Sequence, residues 1–135
     1  MNDNTKINEV NQHVFVYGTL KKGYPMGDWL NANAEFIGHA ITPGLLYDLG
    51  AFPGLKFSSS NHDVGKVHGQ VFKVSDQKVL DRMDMYEGVR GDEGLYVKKY
   101  KPVQLEDGPI LTHVLMYEYN SDLSSRTPME GGLWT

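Results

Sequence analysis

The stretch that most constrains the fold is Val14-Phe15-Val16-Tyr17-Gly18-Thr19-Leu20-Lys21-Lys22-Gly23. It starts as a short apolar run with β-branched Val14 and Val16 around Phe15, which is the pattern of a buried strand. The pattern then breaks at Gly18, where the missing Cβ lets another group come close to the backbone. Gly23 closes the segment as a second breaker. A buried strand therefore delivers a tight loop whose amide N–H groups can form a concavity for an anion or an oxyanion. Thr19 adds a hydroxyl and Tyr17 a phenol at the same place. On composition alone, an ordinary surface turn after a strand is the simpler account.

The rest of the chain supplies more strands than helices. Tyr24-Pro25-Met26 opens a short helical candidate with Trp29 and Leu30 on its buried side, and Pro25 suits a first helical turn. Strand patterns cover 34–41, 45–49, 66–74, 95–106 and 109–119. A turn at Thr42-Pro43-Gly44, a loop over 50–55 and an exposed polar connection over 58–63 separate the earlier ones. Ser75 is placed to cap the clearest helix, whose apolar face is Val79, Leu80, Met83 and Tyr86. Gly88 is placed to end it. Pro102 requires an edge or a bulge within its strand, and Asp107-Gly108 marks a hairpin. The absence of βαβ alternation predicts an antiparallel or mixed β-rich α+β domain, in the form of a small barrel with one main helix packed on it. The expected domain spans 13–120, with a polar N-terminal extension over 1–12 and a polar tail over 121–135 that Leu133 and Trp134 could dock on the core.

Composition removes several function classes. The chain has 135 residues and a formal net charge of -4, and its basic residues never run longer than the pairs Lys21-Lys22 and Lys98-Lys99. That argues against a nucleic acid or an anionic membrane as partner. With no cysteine there is no disulfide framework, thiolate metal site or cysteine nucleophile. The absence of a membrane-length apolar stretch and of a signal h-region points to a cytoplasmic protein. His13, His39, His62, His68 and His113 share no ligand spacing, so no metal is expected. Ser58-Ser59-Ser60 lacks nucleophile-elbow glycines, and no phosphate-binding glycine motif occurs, so no nucleotide cofactor is expected.

Among the carboxylates, Asp81 reads as part of a solvated helix face, and Asp92 and Glu93 as loop residues. Glu87 differs, because it stands where the helix ends against the core. Desolvation there would raise its pKa and suit it to general acid–base work near neutral pH. Tyr96 and Tyr117 read as core or rim aromatics, and Phe52 beside Pro53-Gly54 could wall a pocket.

The motifs resemble those of the γ-glutamylcyclotransferase-like family. Phe15-Val16-Tyr17-Gly18-Thr19-Leu20 looks like its Tyr-Gly-[Ser/Thr]-Leu signature, and Met83-Asp84-Met85-Tyr86-Glu87-Gly88 like its Leu-Asp-x-x-Glu-Gly segment. Phe52-Pro53-Gly54-Leu55 and the 67–74 strand also resemble the family in order and spacing, so the similarity runs from Phe15 to Tyr119. Val89 and Lys98 depart from it, standing where a larger residue and an arginine are common. The resemblance implies a compact mixed β-barrel without cofactor, acting on a small-molecule γ-glutamyl amine or amide. In such a reaction the substrate's α-amine attacks its own γ-carbonyl, giving pyroglutamate and a free amine. Glu87 would move the proton, and Tyr17, Gly18, Thr19 and Leu20 would bind substrate. The alternative on the same fold is a non-catalytic small-molecule binding module. A purely structural domain would leave the two motifs unexplained.

Overall fold

A computed structural model describes residues 9–57 and 65–135. The exposed connection expected over 58–63 and the first eight residues of the N-terminal extension lie outside the described residues. Among the described residues, seven strands and two helices follow one another as β1 (Glu9–Val16), α1 (Pro25–Asn33), β2 (Glu35–Pro43), β3 (Leu45–Asp48), β4 (Pro53–Lys56), β5 (Lys66–Asp76), α2 (Gln77–Tyr86), β6 (Tyr96–Leu105) and β7 (Ile110–Tyr119). Five of the strands close into a barrel in the order β1-β5-β2-β6-β7, and β3 and β4 form a separate hairpin. The pairings around the barrel are antiparallel except β1 with β7, which meet in parallel at Val14 and Leu115. The fold is the expected α+β barrel, and the parallel meeting of β1 and β7 makes it mixed, one of the two arrangements that the pattern left open.

The run from Val14 to Tyr17 reads as continuously apolar because both of its faces are buried. Val14 and Val16 enter a core cluster with Leu30 of α1 and Val79, Leu80 and Met83 of α2. Phe15 and Tyr17 point the other way, into a second cluster with Leu46, Leu55, Val71 and Trp134. The two-residue period of a strand thus feeds two apolar layers from one segment.

Several local expectations change. β1 begins at Glu9, inside the stretch expected to be a polar extension outside the domain, because its polar residues pair with the far end of β5. Pro53-Gly54 is a strand rather than a loop, since pairing with Tyr47 and Asp48 of β3 overrides the turn tendency of that dipeptide. Asp76, not Ser75, caps α2, its carboxylate accepting the Lys78 N–H at 2.9 Å. Pro102 does sit at an irregularity, where the β6–β7 register slips between Lys101 and Val103. Of the two docking candidates near the chain's end, Trp134 is buried and Leu133 is half exposed. No helix among the described residues is long and apolar enough to cross a membrane.

Candidate active site

A cavity of about 240 Å³ opens where β1 ends, and its walls include Tyr17, Gly18, Thr19, Leu20, Phe52, Pro53, Tyr86, Glu87, Leu95, Tyr96 and Tyr117. The loop after β1 and the carboxylate after α2, nearly 70 residues apart in sequence, thus meet at one space.

The backbone fixes Glu87. It is the C-cap of α2, with φ −82° and ψ −2°, and its N–H still donates to Met83 at 2.9 Å. Gly88 then turns left-handed at φ +65°. The Gly88 N–H donates to Met85 (3.1 Å) and the Val89 N–H to Asp84 (2.9 Å). These two bonds form a Schellman closure, which only a residue at ease with positive φ completes cheaply. The closure holds the Glu87 side chain at the cavity while the chain leaves toward β6.

Glu87 is half-buried and lines the cavity. Burial pushes its pKa from an ordinary 4.5 up to about 8. The negative end of the α2 dipole acts in the same direction. Among the described residues no cation pairs with it. Asp84, one turn earlier, has a different environment. It pairs with Lys98 at 3.0 Å and accepts the Tyr117 hydroxyl at 2.8 Å. Asp81 is exposed and accepts from Gln77 at 2.9 Å.

The loop presents its backbone. Lys21 N–H closes the turn on the Gly18 carbonyl at 3.0 Å, and Lys22 N–H donates to the Gln70 side chain at 2.9 Å. The N–H groups of Gly18, Thr19 and Leu20 have no acceptor among the described residues. Successive free amides on a turn are the kind of group that can receive a carboxylate or an oxyanion, and these three belong to residues that line the cavity.

The side chains of the loop are occupied otherwise. Tyr17 is buried, donates its hydroxyl to the Tyr117 carbonyl (2.5 Å) and accepts the Leu55 N–H (3.2 Å). It therefore ties β1 to β7 and β4. Thr19 shares a 2.7 Å hydrogen bond with the Tyr86 hydroxyl, joining the loop to the end of α2. Leu20 is core. At Gly18 the group that comes close is protein: a Cβ there would lie 2.7 Å from both Cγ and Cδ of Pro53.

Sequence reasoning missed Tyr86 and Leu95 as cavity residues. Helical spacing assigned Tyr86 to the apolar face, but the residue is 43% exposed and its hydroxyl bonds Thr19. Tyr96 and Tyr117 are buried, as their strand positions suggest, and both also reach the cavity wall. Tyr96 donates to the Pro53 carbonyl at 2.6 Å. Burial drives the pKa of Tyr17, Tyr96 and Tyr117 upward, so all three phenols stay neutral donors. No cluster of three or more His, Asp or Glu able to hold a metal occurs among the described residues.

Comparison with known proteins gives this geometry a family. The family model described as gamma-glutamyl cyclotransferase, AIG2-like, matches residues 14–135. A Citrobacter rodentium protein named gamma-glutamylcyclotransferase family protein ytfP is 30% identical over 122 residues, covering 90% of this chain and 93% of that protein. A Vibrio cholerae protein named "Putative gamma-glutamylcyclotransferase" is 40% identical over 81 residues, which is 58% of this chain and 64% of that protein. Among solved structures, YkqA from Bacillus subtilis superposes with a TM-score of 0.70 at 28% identity, over 93% of this chain and only 40% of YkqA. The chain belongs to the gamma-glutamyl cyclotransferase, AIG2-like family.

Proposed function

We propose that the protein is a γ-glutamyl cyclotransferase that converts a γ-glutamyl amine or amide to pyroglutamate and a free amine. In the reaction the substrate's α-nitrogen forms a bond to the γ-carbonyl carbon, closing a five-membered lactam. The bond from that carbon to the leaving nitrogen breaks. Glu87 accepts the proton that the α-amine must shed and returns it to the leaving nitrogen. The N–H groups of Gly18, Thr19 and Leu20 receive the substrate carboxylate or the negative charge that develops on the carbonyl oxygen. Folding the substrate so that amine meets carbonyl supplies the proximity contribution.

One observation carries the reading: a carboxyl raised to about 8 shares a cavity with three residues whose backbone N–H groups have no acceptor among the described residues. An α-amino group titrates at about 8 in model peptides, so proton exchange between it and such a carboxyl is close to balanced. An entering ammonium would also favour the ionised form of Glu87, readying the base as substrate binds. Asp84 suits the role less well, since Lys98 and Tyr117 already engage both of its oxygens.

The test is a panel of γ-glutamyl amines, amides and dipeptides assayed for both products. Pyroglutamate and free amine released in equal amounts from at least one compound support the reading. Binding without release from any compound overturns it in favour of a binding module.

A further inference from the structure

The turn that carries the three donors is anchored from behind by a segment remote in sequence. Lys21 closes the turn through its backbone, and its side chain is buried, with only 8% exposed. Its ammonium donates to the Trp134 carbonyl at 2.5 Å. Among the described residues no carboxylate pairs with it, and burial lowers its pKa. A buried cation held by one carbonyl is a demanding arrangement, and it persists only where the carbonyl is held in place.

Trp134 is held. Its ring is buried in the same core cluster as Phe15 and Tyr17 and stacks on Tyr24 at 5.6 Å between centroids. Its indole N–H reaches Asp48 of β3 at 3.4 Å. The segment leading to it is pinned twice more, by Met129 N–H on the Leu46 carbonyl (2.7 Å) and by His68 N–H on the Gly132 carbonyl (2.9 Å). We infer that the 129–134 segment and Lys21 form a clamp that fixes the Gly18–Lys21 turn, making Lys21 and Trp134 positioning residues for the loop's amide donors. The link to substrate rests on the cyclotransferase reading; the clamp itself does not.

The experiment compares wild type, Lys21→Met and Val103→Ala. The first keeps the stem and removes the ammonium. The second removes volume from the same core cluster at a β6 position hydrogen-bonded to neither the turn nor the 129–134 segment. Native-state amide exchange at residue 21 reports closure of the turn, normalised to the amides of β7. Steady-state kinetics on a γ-glutamyl compound that the wild type turns over reports substrate binding. A charged hydrogen bond of this kind sets an expectation of roughly tenfold faster exchange at residue 21 and roughly tenfold higher KM in Lys21→Met. The pH dependence that Glu87 imposes on kcat should not move. Val103→Ala should lower Tm and leave both readouts at wild-type values. A folded Lys21→Met protein with wild-type exchange and KM overturns the clamp, as does a Val103→Ala protein that reproduces both changes. Should Lys21→Met fail to fold, Tyr24→Leu decides, since it removes only the ring stacked on Trp134. A smaller change of the same two readouts supports the clamp, and wild-type values refute it. A wild type that releases no pyroglutamate counts against the cyclotransferase reading alone, and amide exchange then decides the clamp.

Discussion

Glu87→Gln should make the protein more stable, and more so as pH rises. The unfolded carboxyl ionises near 4.5, and the folded one near 8. Between those values the folded state keeps a proton that the unfolded state has shed. Stability from this group is therefore fully present below about pH 4.5, falls as pH rises through the window, and levels off above about 8. Each pH unit within the window contributes about 1.4 kcal/mol, so at pH 7 the wild type has lost about 3 kcal/mol. A glutamine cannot ionise and escapes that loss. For a domain of this size, about 3 kcal/mol corresponds to a rise in Tm on the order of 10 °C. At pH 5 the same comparison should give under about 1 kcal/mol. The assay is thermal melting of both proteins from pH 5 to pH 9. The gap in Tm should widen up to about pH 8 and then hold. Melting temperatures that run parallel across the range would refute the claim that Glu87 is desolvated in the folded protein.

Gly18→Val should destabilise the fold by about 1–3 kcal/mol, read from the urea midpoint, because the new side chain drives into the Pro53 ring. An unchanged midpoint would show that Pro53 gives way. Tyr17→Phe should cost about 1–3 kcal/mol in the same assay, since it leaves the Tyr117 carbonyl and the Leu55 N–H without their buried partner. A neutral outcome would mean that the hydroxyl is not the tie described. Asp84→Asn should destabilise through the Tyr117 and Lys98 bonds, whereas Asp81→Asn should stay within about 0.5 kcal/mol of wild type. Equal effects of the two would undo the contrast drawn between them.

Much of this architecture could be read from periodicity. The run at 14–17, the amphipathic spacing of Val79, Leu80 and Met83, and the Asp-Gly hairpin are all local signals, and the structure contains each. Pairing partners are not local. Pro53-Gly54 looks like a turn until β3 lies beside it, and the polar residues from Glu9 look like an extension outside the domain until β5 does. The site was legible in its parts, because a strand that stops at glycine and a glutamate that stops a helix are visible one at a time. The occupations of the side chains were not. Nothing in the sequence tells that Tyr17 spends its hydroxyl on β7, that Gly18 makes room for Pro53, or that Tyr86 leaves the helix's apolar face to meet Thr19. Each depends on which element lies opposite, and the barrel's closure decides that.

Pyroglutamate release by wild type and Glu87→Gln, measured side by side at matched folded fraction on one γ-glutamyl substrate, tests the central claim most directly. General acid–base catalysis contributes on the order of 100- to 10,000-fold, so the variant should lose turnover in that range or beyond while remaining folded and still binding substrate. Turnover close to wild type in the folded variant would contradict the account and move the search for the base to another residue.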